Sequence, residues 1–346
     1  SYAKENRTFN AGYRGAFGFL RSDLSGSGVT NVRTGRQRLY GEYSSRHGSF
    51  SYRVSLGAEN NMKAGDDGFS RFAFSPTVLL SYRLNKRNML RLRLDSETSM
   101  PDIQQMSGNR ILIMENFYRR GNAEVHNSTG YQSRLIYSYN IPRKLIVQTD
   151  AHYNRTAGFL YDAFVQDGDA WYLETRNAHR FSEAGMNMIV TYIPWKWLRL
   201  GVDVSADRQT IKETSSGEAF SDWFFPVYLN ASAVWGNWSL SCRQTFGGKM
   251  LDGLYRKGLE KVSYLSLTYG WKNWQFGAQC LFPFYDDKYS NETVSIAPVR
   301  HVTQTNLRTK NREFGFTISW FFQRGKENNS VKSLENSDVD SGVFRF

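Results

Sequence analysis

The chain has 346 residues, 40% hydrophobic and 15% aromatic, with a formal net charge of +12 and a mean hydropathy of −0.54. It holds no run of 18 apolar residues, which excludes a protein that crosses a membrane with helices. Its 44 Lys and Arg are scattered over turns and polar strand faces without a basic block or motif, which argues against a nucleic-acid partner.

From Thr8, the side chains Phe9, Ala11, Tyr13, Gly15, Phe17 and Phe19 alternate with Asn10, Gly12, Arg14 and Gly18. Alternation with a period of two puts one set on each face of a strand. A strand over about 30–45 carries Arg36, Arg38 and Glu42 on one face and Leu39 and Tyr43 on the other. After a turn at Arg46–Gly48 come Phe50, Tyr52, Val54 and Leu56. Phe72 to Tyr82 then descend to a turn at Asn85–Arg87, and Leu90, Leu92 and Leu94 return, interleaved with Arg91 and Arg93. Residues 99–127 read as the longest irregular connection, with a hydrophobic island at Ile111–Met114. Tyr131 to Tyr139 reach a turn at Asn140–Arg143, and a long hairpin turns near Asp167–Asp169. The cleanest strand sets Leu198, Leu200, Val202, Val204 and Ala206 against Arg199, Asp203 and Asp207.

The stretch Ser221–Tyr285 holds two tight turns, Gly236-Asn237 and Lys272-Asn273, each flanked by tryptophans. Leu265, Leu267, Tyr269 and Trp271 share one face, and Tyr264, Ser266, Thr268 and Gly270 the other. A face of apolar side chains ending in aromatics, opposite one of small polar residues, is what a transmembrane β-barrel needs: lipid outside, water inside. The fold expected is therefore all-β, a transmembrane antiparallel β-barrel with about 14 strands over residues 1–325, followed by a polar tail at 326–346. Tight turns near 46, 86, 142, 195, 236 and 272 should face the periplasm. Longer loops near 24–29, 61–68, 99–127, 159–170, 214–218, 251–258 and 287–299 should face outward. A β-propeller would fit four short strands where this chain has two long ones, so it is set aside. Cys242 and Cys280 fall on apolar faces of strands with another strand between them. That puts them about 10 Å apart, beyond disulfide reach.

Leu90–Asn140 and the chain's end resemble the TonB-dependent-receptor-like outer-membrane β-barrel proteins of Bacteroidetes-type bacteria. The counterparts of that family's elements are Thr98–Met106, Gly121–Val125 followed by Tyr131–Tyr139, and the acidic tail Ser333–Val343. Met100 stands where the family usually has Arg, and Ala123 where it has Pro. The resemblance implies the C-terminal part of a barrel of about 22 strands. It also implies a plug domain upstream, coupling to the TonB system, and a bacterial outer-membrane location against outer-membrane lipid. The chain starts at Ser1 without a signal peptide, so it is expected to be a processed chain or a fragment.

No catalytic motif is present, the five histidines lack metal-binding spacing, and neither enzyme activity nor a cofactor is expected. Arg91, Arg93, Arg199, Asp203, Asp207 and Arg243 are the candidate lumen-lining residues, either touching solute or plug or simply solvating the wall. Trp195, Trp197, Trp235, Trp238, Trp271 and Trp274 are read as an interfacial girdle rather than a sugar-stacking platform. Acidic pairs at Asp66-Asp67, Asp167/Asp169 and Asp286-Asp287 read as ordinary turn chemistry. The function expected is energised uptake of a small solute, oligosaccharide or peptide. A non-transporting surface barrel and a passive 14-stranded channel are the alternatives.

Overall fold

Alternating side chains with few prolines give long strands, and each wall strand pairs with the next, joined by tight turns at one end and longer connections at the other. The computed structural model describes residues 2–4, 6–24, 28–64, 69–106, 108–259, 261–284, 290–295, 302–306 and 312–322. The first strands are β1 (Tyr2–Lys4), β2 (Arg7–Leu24), β3 (Gly28–His47), β4 (Phe50–Ala64), β5 (Phe69–Arg83) and β6 (Asn88–Ser99). A helical turn, α1 (Ile103–Met106), and a hairpin of β7 (Ile111–Met114) and β8 (Phe117–Arg120) follow. Next come β9 (Ser128–Ile141), β10 (Leu145–Asp167), β11 (Ala170–Trp195), β12 (Leu198–Lys212), β13 (Ala219–Phe224), β14 (Val227–Trp235) and β15 (Trp238–Phe246). A small hairpin of β16 (Lys249–Asp252) and β17 (Tyr255–Gly258) precedes β18 (Ser263–Trp271) and β19 (Trp274–Leu281). The last are β20 (Ser290–Ser295), β21 (Val302–Asn306) and β22 (Glu313–Trp320).

The wall is an antiparallel meander in the order β2-β3-β4-β5-β6-β9-β10-β11-β12-β14-β15-β18-β19-β22. β13 continues β14 upward along the same edge of β12. The break between them falls at Pro226, which has no N–H to give to a ladder. Among the described residues this makes fourteen wall strands, as the alternation predicts. The tight turns also fall where the sequence puts them.

The core is inverted relative to a water-soluble protein. Phe17, Phe72, Phe74, Phe314 and Phe316 stand exposed on one face, Phe316 at 83%, while Glu59, Asn61, Asp150, Asp207 and Gln209 are buried on the other. Leu265 of β18 is the register partner of both Cys242 on β15 and Cys280 on β19, so one strand separates the two free cysteines as expected.

Four of the stretches read as loops are built differently, wholly or in part. β10 and β11 stay paired from Leu145↔Tyr192 to Asp167↔Ala170, so residues 159–167 are strand. Gly158, at φ +65°, kinks β10 and shifts the phase of the alternation there, which hides the strand from a period-two reading. The 99–127 connection contains α1 and the β7–β8 hairpin, with β8 pairing parallel to Trp171–Glu174 of β11. Residues 249–258 form the β16–β17 hairpin. Its Leu254 joins Tyr161, Ala163, Ala178 and Ile211 in a small core at the long-hairpin end of β10–β12, lined also by Phe159, Phe181 and Phe220. β4 continues to Ala64, into the stretch read as the 61–68 loop. Residues 25–27, 65–68 (with Asp66-Asp67), 285–289 (with Asp286-Asp287), 296–301 and the 326–346 tail lie outside the described residues.

Candidate functional site

Strand register brings inward side chains from distant parts of the chain into one line. Reading across the wall, Arg53 pairs with Leu79, Leu79 with Arg93, Arg93 with Arg134, Arg134 with His152, His152 with Gly185, and Gly185 with Asp207. The line is basic as far as Arg134; beyond it stand His152 and Asp207, with Asp150 and Glu183 beside them, and the two parts meet at β9–β10. Arg134 Nε lies 3.7 Å from Asp150 Oδ1 across that boundary.

On the acidic side, His152 is almost closed off. Its Nδ1 hydrogen-bonds Asp150 Oδ1 at 3.2 Å. Its Nε2 lies 3.1 Å from Asp207 Oδ1 and 3.6 Å from Glu183 Oε1. Gln209 donates to Glu183 at 2.8 Å, and Asn187 donates to Asp203 at 2.7 Å. The cluster is thus held by polar contacts within the wall; among the described residues no group of three or more such side chains is arranged to hold a metal ion.

Of the six candidate lumen residues, Arg199, Asp203 and Arg243 come together. They line one open recess of about 470 Å³ with Asn230, Ser241 and Tyr264, and Arg243 lies over the Tyr228 ring at 5.5 Å. Asp207 belongs instead to the His152 cluster. Arg91 and Arg93 sit on β6 in the basic half: Arg93 pairs with Asp95 at 2.8 Å, whereas Arg91 has no ion-pair partner among the described residues and its Nε is buried without an acceptor. Sequence reasoning puts Asp150 and His152 on a polar face but misses their cluster with Asp207. The signal was the absence of a side chain at Gly185, which only a known register makes readable.

The six tryptophans read as a girdle are all exposed at the tight-turn end. Trp195 and Trp197 stack at 5.4 Å; Trp235 and Trp271 are the register partners of Trp238 and Trp274. Trp320 on β22 extends the series, stacking on Trp274 at 6.0 Å.

This inverted sheet, with its polar wall and aromatic end, is matched over residues 3–320 by the family model described as "Outer membrane protein beta-barrel family". The chain belongs to that family. Its location is accordingly the bacterial outer membrane. No curated protein matches the chain at a significant level. Among solved structures, the copper transporter OprC superposes with a TM-score of 0.69 at 11% identity, covering 92% of this chain and 54% of that one. The FrpB iron transporter from Neisseria meningitidis, F5-1 variant, gives 0.66 at 11%, covering 92% and 54%. A mutant of the ferric enterobactin receptor PfeA from Pseudomonas aeruginosa gives 0.57 at 16%, covering 80% and 46%. The chain spans about half the length of each, and the likeness is one of fold.

Proposed function

We propose that this outer-membrane barrel family member forms part of the wall of a receptor that takes up a solute with energy delivered through TonB, its lumen filled by a plug domain. The observation that carries this reading is the inward basic panel, in which Arg91 is turned to the lumen with its Nε shut away and unanswered. A buried cationic nitrogen without an acceptor is costly, and a plug or anionic solute that draws the Arg91 side chain into the lumen would supply the missing oxygen. The similarity in fold to transporters of iron and copper and to a siderophore receptor supports transport as the class of activity. In this reading Arg91, Arg93, Arg199, Asp203, Asp207 and Arg243 line the passage, and the tryptophans of the tight-turn end rest at the periplasmic interface.

A second reading, a surface barrel that presents an adhesive module, is favoured by the folded sheet of β10, β11, β8 and β7 beyond the membrane band. The test is made on the full-length protein in planar bilayers and in binding assays with the periplasmic domain of TonB. A plugged receptor gives no steady conductance and binds that domain. Steady conductance without binding would make it a passive channel, and silence without binding would favour the adhesive reading.

A further inference from the structure

The outward face of β10–β12 ends in cations rather than in more apolar residues. Along β12, the lipid-facing positions run from Leu198 through Leu200, Val202 and Val204 to Ala206, and then become Arg208, Thr210 and Lys212. Arg155 takes the same place on β10, ten residues from Leu145, as Arg208 is ten residues from Leu198. Ten residues at about 3.3 Å each, tilted by about 40°, rise about 25 Å, the height of the apolar band of an outer-membrane barrel. Exposed Tyr153 and Trp223, which flank Arg208's row through Ala184, mark the same level with the aromatic residues expected at a membrane interface.

Above that row the register sets Arg180 of β11 directly opposite Lys212 of β12, with Ala157 on Arg180's other side. Arg155 is one step below Ala157, opposite Ser182. Four cations thus surround a shallow bay floored by Ala157, Ser182 and Thr210. Among the described residues none of the four makes an ion pair or a side-chain hydrogen bond, and the Nε of Arg180 is buried without an acceptor. Most of the acids nearest in sequence point elsewhere: Glu183 and Asp207 face the His152 cluster, Asp222 pairs with Arg256, and Glu213 accepts from Tyr161. Glu218, beside Lys212's register partner Ala219, is exposed and pairs with none of the four among the described residues. Like charges directly opposite each other in a sheet repel. Among the described residues no acid answers these cations, and the row lies at the depth where lipid head groups lie.

We propose that Arg155, Arg180, Arg208 and Lys212 form a binding site for the phosphorylated head group of a membrane lipid in the leaflet on the long-hairpin side. Arginine forks match phosphate oxygens in pairs, and the small residues between them let a bulky head group approach the backbone. The tyrosine and tryptophan below would pack the first part of its acyl chains. A soluble anion would have no use for the aromatic row below or for a site at the margin of the apolar band.

The test is native mass spectrometry of the full-length protein in detergent, titrated with lipid A carrying two phosphates, lipid A carrying one, and phosphatidylethanolamine. The unaltered protein should retain the doubly phosphorylated lipid best. Since each basic residue near an anionic surface contributes about fivefold in affinity, the variant Arg155→Gln/Arg180→Gln/Arg208→Gln/Lys212→Gln should bind it at least about tenfold more weakly. A control at the tight turns, Lys86→Gln/Arg87→Gln/Lys196→Gln, should stay within about twofold. Folding of each variant is checked by heat-modifiable migration; if the fourfold variant fails it, Arg155→Gln/Arg208→Gln and the lipid series on the unaltered protein give the answer. Equal retention of all three lipids, or unchanged affinity in the bay variants, overturns the site. Displacement of the lipid by equimolar pyrophosphate would assign the bay to a soluble anion and overturn the lipid reading.

Discussion

Asp207 Oδ1 lies 3.1 Å from His152 Nε2 although a whole strand runs between β10 and β12. The contact exists because the residue between them, Gly185, has no side chain. A Cβ there would overlap the Asp207 carboxylate and stand 2.6 Å from the Ala206 carbonyl oxygen. Gly185→Ala should therefore destabilise the barrel by about 1–3 kcal/mol, the usual range for forcing extra volume into a filled site, and separate His152 from Asp207. Gly277→Ala is the control, since its nearest neighbour, Thr317 Oγ1, would be 3.5 Å away. Urea midpoints in detergent measure both, and equal midpoints would show that the wall yields at Gly185.

The contrast between that cluster and the rest of the wall shows what a sequence carries. Which way each side chain faces is a local property with a period of two, so Leu267 and Thr268, or the Cys242–Leu265–Cys280 line, can be read off directly. Which residues meet across strands depends on register, which the turns fix only after the fold is known; His152 and Asp207 are 55 positions apart. Alternation also fails where both faces are covered. Phe159–Asp167 loses its pattern because Leu254 packs near Tyr161 and Ala163 while Phe117 stacks on Phe164 at 6.0 Å. The two family-like elements around Pro101 and Asn122 were legible as motifs but not as neighbours. In the structure the Asn122 N–H donates to the Gln105 carbonyl at 2.8 Å, closing the base of the 99–127 connection.

Facing itself can be tested at one pair of adjacent residues. Leu267 continues the outward ladder between Leu240 and Ala278. Thr268 lines a polar recess with Ser266, Gln279 and Thr317. Leu267→Arg should cost about 2–4 kcal/mol, the penalty for an arginine facing lipid near mid-membrane, while Thr268→Arg should be tolerated. Folding yield into lipid vesicles reads the difference, and equal yields would reverse the assignment of the two faces.

Orientation in the membrane follows from the contrast between two-residue turns and long hairpins. Asp169 is exposed at the tip of the β10–β11 hairpin, and Asn237 is exposed in the Trp235–Trp238 turn. In a Cys242→Ser/Cys280→Ser background, a membrane-impermeant thiol reagent on whole cells should label Asp169→Cys and spare Asn237→Cys. The opposite pattern would turn the barrel over.

The hairpin core should be sensitive to alkaline pH. The Tyr161 hydroxyl donates to Glu213 Oε1 at 2.5 Å. Burial, reinforced by that hydrogen bond and by the Glu213 charge, pushes its pKa well above the usual tyrosine value. Tyr255, beside Phe164, is pushed up to about 12, first by burial and then by the charge of Asp162. An unfolded tyrosine ionises near pH 10, so the folded form holds its phenolic protons more tightly than the unfolded one. The stability this contributes is complete below about pH 10 and is lost as pH rises from there through the folded values. Tyr161→Phe should lower stability by about 1 kcal/mol at pH 8, the typical net worth of one hydrogen bond. It should also flatten the fall between pH 8 and pH 11, because one of the two proton-holding phenols is gone. Urea midpoints at the two pH values give the slope, and tyrosinate absorbance identifies the late-titrating group. A Phe variant that falls as steeply as the unaltered protein would remove Tyr161 from the account of alkaline sensitivity.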